Sequence, residues 1–271
     1  MAFEQRAESQ VFGEVAEVYH AARLGYPEDL VESVLAYADL KGRPVVEVGA
    51  GTGKATESFA AHGLDLTCVE PDPRMAELLR RHTAGHPSVR VELSSFEDWQ
   101  PGGRRFGLLY AATSWHWTDP ERRWALAHAA LAPGGAVALL WNASAVVDPA
   151  LHAALAEVDA DYPGLRPPHS VLASEVDPVD GGDRWTEASG WPEAECRRDG
   201  RFTDLLSTRH LRPQHYTTER YLGYLDSISR YRILSDERRA EVLGRTGALL
   251  DAHGGGIEVL AVTDTFRARA T

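Results

Sequence analysis

The sequence predicts an α/β fold: a mostly parallel, seven-stranded sheet with helices on both faces and an antiparallel last strand. Three observations predict it. A β-branched run, Val45-Val46-Glu47-Val48, ends in glycines at alternate positions, Gly49, Gly51 and Gly53. This reads as a buried strand leading into a turn where the backbone adopts conformations that other residues resist. Strand-like and helix-like periods then alternate from residue 44 to residue 141, the pattern of a parallel sheet with crossover helices. Finally, an acid, Glu70, closes the next apolar run seventeen positions after Gly53.

Taken in order, residues 9–24 put Val11, Phe12, Val15, Val18 and Tyr19 at mostly helical spacing, until Arg23-Leu24-Gly25-Tyr26-Pro27 breaks the pattern. Pro27 opens a helix to about residue 38, with Leu30, Val34 and Leu35 inward. Residues 44–48 are the first strand, and Thr52 caps a helix reaching about residue 62. Residues 64–69 are the second strand, 73–81 a helix, 89–93 the third strand and 106–112 the fourth. A helix over 120–131 turns through Pro133-Gly134-Gly135 into a fifth strand, 136–141. Beyond Asn142 the alternation loosens. Residues 149–160 read as a helix, 161–183 as a long Pro-, Gly- and Asp-rich loop, and 194–201 as a strand after a Gly-Trp-Pro turn. Thr217 caps a helix to about residue 231, and Ser235-Asp236-Glu237 starts another that ends at Gly254-Gly255-Gly256. Residues 257–266 alternate as the final strand.

Composition narrows the function. The chain has 271 residues and a net charge of −12, so its overall field opposes non-specific nucleic-acid and anionic-membrane binding. Cys68 and Cys196 lack any zinc or redox spacing, and no metal is expected. The first residues carry Glu4, Arg6, Glu8 and Glu14 rather than a signal peptide's apolar run, and no stretch approaches the roughly 18 apolar residues of a membrane span. A cytoplasmic protein is expected. The organisation expected is one domain over 1–271: a helical lid (1–40), a cofactor-binding core (41–145), and a substrate-side region of insert, helices and final strands (146–271). The oligomeric state is not specified.

The pocket chemistry follows from the turn. Glu70 sits where a carboxylate can accept both hydroxyls of a ribose held over the glycines; the alternative is a cap for the helix after Pro71. Dinucleotide sites use G-x-G-x-x-G to hold a pyrophosphate. Here the run is Gly49-Ala50-Gly51-Thr52-Gly53, and Glu47 just before it would repel phosphate while suiting an ammonium. That favours S-adenosylmethionine, which carries an amine and a cationic sulfonium.

At these residues the chain resembles the class I S-adenosylmethionine-dependent methyltransferases, whose fold is Rossmann-like. Glu70-Pro71-Asp72-Pro73-Arg74-Met75 is similar to the family's ribose acid with an apolar adenine contact, Met75. Ser95-Phe96-Glu97 is similar to the loop bordering adenine, although Ser95 stands where the family has an acid, so the backbone serves there. Leu131-Ala132-Pro133-Gly134-Gly135 is similar to the turn before strand five. The segment Ala111-Ala112-Thr113-Ser114-Trp115-His116-Trp117-Thr118-Asp119 resembles the His-Trp stretch of small-molecule methyltransferases related to trans-aconitate methyltransferase. Tyr19, Arg23 and Tyr26 resemble that group's lid. Phe106-Gly107-Leu108 departs from the family's Phe-Asp-Leu.

The resemblance implies methyl transfer to a small-molecule acceptor. The cofactor set is Tyr19, Arg23, Glu47, Gly49, Ala50, Gly51, Thr52, Gly53, Glu70, Pro71, Met75, Ser95, Phe96, Glu97, Ala111 and Ser114. His116 is the candidate base, or else a buried hydrogen-bonding histidine. Tyr26, Trp115, Trp117 and Trp141 wall the substrate cavity or belong to the core. Tyr224, Ser227 and Tyr231, at helical spacing, line the pocket or pack inward. Arg23 pairs with an acidic substrate or with the cofactor carboxylate. Competing readings are an NAD- or nucleotide-binding oxidoreductase and a non-catalytic S-adenosylmethionine-binding regulator.

Overall fold

A computed structural model of the chain describes residues 20, 25–162, 165, 170–171 and 191–271. The elements are α1 (Glu28–Ala38), β1 (Val45–Val48), α2 (Lys54–Ala60), β2 (Leu66–Glu70), α3 (Pro73–His82), β3 (Val89–Leu93), β4 (Phe106–Ala112), α4 (Arg123–Ala130) and β5 (Leu131–Val146). After these come α5 (Pro149–Ala160), β6 (Ser170–Val171), α6 (Glu193–Asp199), β7 (Phe202–Thr217), α7 (Thr218–Asp226), α8 (Ser229–Arg232), α9 (Asp236–Ala252) and β8 (Gly256–Ala270). The sheet order is β3-β2-β1-β4-β5-β8-β7, with β6 beside β5. Strands β1 to β5 are parallel, for example Val46 beside Thr67 and Leu109. The Thr271 amide donates to Arg201 O and the Thr218 amide to Gly255 O, so β7 and β8 run antiparallel. The sheet is therefore the expected mostly parallel one with antiparallel final strands.

The chain divides into two compact units. One comprises Leu24–Trp141, Gly181–His210 and Thr263–Thr271; the other comprises Met1–Arg23, Asn142–Asp180 and Leu211–Val262. In the first, β1 and β2 are buried along their whole length, as their β-branched runs require for a strand covered on both faces. One face carries Tyr26, Leu30, Val31, Val34, Phe59 and Leu79. The other carries Phe96, Trp99, Trp115, Trp124, Phe202 and Phe266. In the second unit, α9 packs against α5 and α7.

Several elements differ from the sequence expectation. The α2 helix is capped by Gly53 in a left-handed conformation (φ 96°), not by Thr52, and no side chain caps it. Residues 193–199 are helix α6, not a strand. Glu193 pairs with Arg197 one turn on at 2.7 Å, acids occupy the first turn, arginines the last, and Gly200 (φ 77°) ends it. The helix expected over 217–231 stops at Asp226, and α8 follows separately. Strand β7 is absent from the sequence reading. It is half-exposed, holds Pro213, and ends the sheet order, and an edge strand needs no apolar run. Residues 9–19 lie outside the described residues. Among the described residues no helix is long and apolar enough to cross a membrane.

Candidate functional site

The site is built on the β1–α2 turn. Gly49, Gly51 and Gly53 all have positive φ (67°, 58° and 96°). A Cβ on Gly49 would lie 2.6 Å from Ser114 Cβ, so the chain leaving β4 rests directly on the glycine turn. Ser114 fixes that approach by donating to Val48 O at 2.5 Å. His82, at the end of α3, donates from Nδ1 to Thr52 O at 2.8 Å and pins the turn from behind. No local signal in the sequence marks this partner. Ala50 and Thr52 are both buried.

Glu70 ends β2 and is buried. Its Oε2 accepts from the Gly51 amide at 2.7 Å and its Oε1 from the Asp72 amide at 2.9 Å. Burial raises its pKa, and the two amides pull it back. Asp72, not Glu70, caps α3, accepting from the Arg74 and Met75 amides. Pro71 leads exposed from one acid to the other. Met75 Sδ is 3.9 Å from where a Gly51 Cβ would sit, so Glu70, Gly51 and Met75 form one cradle.

Glu47 corrects the sequence reading. It is 1% exposed, and its Oε2 accepts from Thr56 Oγ1 at 2.5 Å and Tyr110 OH at 2.8 Å, with Cys68 Sγ at 3.8 Å. Burial pushes its pKa up to about 7 against the pull of those donors. The carboxylate assigned to an ammonium is thus engaged inside the fold.

The stretch after β4 forms a short turn, Trp115–Trp117. Thr113 precedes it at φ 55°, a strained value for a β-branched residue, and its hydroxyl meets Tyr26 OH at 3.2 Å. Trp115 is core: 1% exposed, edge-on to Trp124 at 5.2 Å and tilted on Phe96 at 6.1 Å. His116 and Trp117 are exposed, with rings 4.8 Å apart. Partial desolvation by neighbouring atoms lowers the His116 pKa although the residue as a whole reaches solvent, and the Arg123 charge lowers it further. Its buried reading falls away. Ser95 turns toward Asp98, donating to Oδ2 at 2.9 Å, and Glu97 Oε1 accepts from the Asp119 amide at 2.8 Å. Both are committed to local structure. Ala111 lies buried in β4, and Trp141 packs on Trp191 at 5.2 Å.

In the second unit, Tyr231 OH donates to buried Asp159 at 2.9 Å. Ser227 donates to Tyr224 O at 2.6 Å at the end of α7, and the Tyr224 ring lies 6.1 Å from those of Tyr216 and Tyr221. These three do not share one helical face, since α7 ends before Ser227. Tyr19 and Arg23 lie outside the described residues.

Residues 45–135, spanning the turn, Glu70 and the His116 segment, match the family described as methyltransferase domain. A protein of Mycobacterium tuberculosis described as an uncharacterized methyltransferase is 33% identical over 142 residues, covering 52% of this chain and 56% of that one. The chain therefore spans about half the length of this relative, as of its Mycobacterium bovis counterpart. An rRNA adenine N-6-methyltransferase of Saccharopolyspora erythraea is 32% identical over 80 residues, 27% of this chain and 21% of that protein. A solved structure from Anaeromyxobacter dehalogenans, provisionally described as a type II methyltransferase, has the same fold: TM-score 0.60, 23% identity, 91% of this chain and 97% of the other. The segment 45–135 is thus similar to a methyltransferase domain. The strand order around it, β3-β2-β1-β4-β5-β8-β7, is a fold shared with that solved structure.

Proposed function

We propose that the chain transfers a methyl group from S-adenosylmethionine to a small-molecule acceptor, with His116 as general base. The observation that carries the reading is the Glu70 carboxylate, fixed by the Gly51 and Asp72 amides beside the glycine turn. Each oxygen keeps a lone pair for a ribose hydroxyl. The same bond argues against a dinucleotide, because the Gly51 amide, a donor a pyrophosphate would need, already serves a carboxylate. Gly51 leaves room beside Met75 Sδ for a flat ring against the thioether.

When bound, S-adenosylmethionine supplies a methyl on a positively charged sulfur, already a good leaving group. The protein must then orient the acceptor and keep water away. His116 is neutral at physiological pH, given its lowered pKa, and takes the proton when the acceptor has one to lose. Trp117, exposed beside it, offers an apolar face for the acceptor.

Calorimetric titration with S-adenosylhomocysteine and with NAD tests the cofactor. Micromolar binding of the first and none of the second is expected, and the reverse would overturn the proposal. A labelled-methyl screen of acidic, aromatic and amine metabolites tests the acceptor. Methylation of RNA with no small molecule labelled would overturn that part.

A further inference from the structure

The turn that carries His116 is braced from a part of the chain distant in sequence. Arg123, at the start of α4, donates from Nη1 to Trp115 O at 3.0 Å. Its Nε donates to Glu195 Oε1 at 2.8 Å and its Nη2 to Glu195 Oε2, a two-pronged pair with a residue of α6. The pair is mostly enclosed, its side chains 13% and 23% exposed. The guanidinium also lies 5.5 Å from the Trp115 ring centre. Thr118 Oγ1 donates to the same Trp115 carbonyl at 2.7 Å, and Glu97 holds the far end through the Asp119 amide. His116 and Trp117 project between these clamps. Glu195 lies beyond the segment 45–135 that matches the methyltransferase domain.

We propose that Arg123, locked by Glu195, is a positioning residue for His116, fixing its turn through the Trp115 carbonyl and setting the charge its imidazole faces. The inference rests on the reading of His116 as the base. Glu97, Asp119 and Arg122, which donates to Glu97 O at 3.2 Å, are the other charged groups flanking the turn, and Glu195 stands behind Arg123. Of these the Arg123 charge acts most strongly on the ring. Glu195 partly neutralises that charge, so the two residues act on His116 with opposite signs.

The test is an NMR titration of the His116 ring in the full chain, assigned by the resonance missing from His116→Asn. Arg123→Gln removes a cation and raises the His116 pKa; Glu195→Gln strips Arg123 of its counter-ion and lowers it. The Arg123→Gln shift is expected to be roughly half a pH unit, and the Glu195→Gln shift smaller and opposite in sign. Local disruption alone would expose the ring in both variants and move both the same way. Arg123→Lys keeps the charge but loses the fork. It should titrate near the wild-type value while the Trp115 and Trp117 indole signals move. Shifts of the same sign, or none, would overturn the proposal. Turnover by His116→Asn decides separately whether His116 is the base, so one reading can fail without the other.

Discussion

Glu70 Oε2 accepts a 2.7 Å hydrogen bond from the amide of Gly51, across the mouth of the glycine turn. One carboxylate thus does two things: it closes the turn, and it presents an acceptor where β2 ends. Glu70→Gln keeps the shape and loses the charge. It should weaken S-adenosylhomocysteine binding by about 1–3 kcal/mol, read by calorimetry. Unchanged affinity would remove Glu70 from the cofactor site.

His116→Asn should lower turnover by roughly a hundredfold or more while leaving cofactor affinity within about twofold. The measurement is a labelled-methyl assay on whichever acceptor the screen returns. Full activity in the variant would assign the proton to water or to the acceptor itself.

Glu47 gives the protein a pH signature. An ordinary glutamate loses its proton near pH 4.5, and this one near pH 7 because burial disfavours its charge. Between those values the folded state holds a proton that the unfolded chain has released. The stabilisation is therefore complete below about 4.5 and lost as the pH rises through about 7. The gap corresponds to roughly 3 kcal/mol. Urea denaturation of wild type and Glu47→Gln on either side of this window should show the difference between them changing by that order. A pH-independent difference would mean that Glu47 titrates normally.

Gly49→Ala forces a Cβ to 2.6 Å from Ser114 at a φ of 67°. A left-handed alanine alone is unfavourable by about 1–2 kcal/mol, and the clash adds to it. Thermal melts should therefore show a large loss of stability, partly restored in the double variant Gly49→Ala with Ser114→Gly. No restoration would mean that the backbone conformation, not Ser114, carries the effect.

Tyr231→Phe would leave Asp159 buried without its hydroxyl donor, for a loss of about 1–3 kcal/mol. The expected outcome is lower stability with acceptor KM unchanged. A KM effect at unchanged stability would return Tyr231 to the substrate pocket.

Residues 44 to 141 were readable because their elements announce themselves locally. A buried parallel strand is an unbroken apolar run, and its glycine turn is visible as a spacing. Glu70 could be found because an acid at a strand end is a local feature. The partners of Glu47, Thr56, Tyr110 and Cys68, come from three other elements, so nothing local says which way its side chain turns. Arg123 and Glu195 are 72 positions apart, so no local pattern marks their pairing. Strand β7 carries no apolar period at all, since its ladder partner rather than its own pattern holds it.

Strand β8 follows every other strand in the chain and yet lies inside the sheet, between β5 and β7. During synthesis the ribosome releases β5 and β7 before the strand that joins them. Until β8 arrives, both present open hydrogen-bonding edges, the kind that pair with other molecules. Of the described strands, the one made last is therefore the one that covers both of these edges.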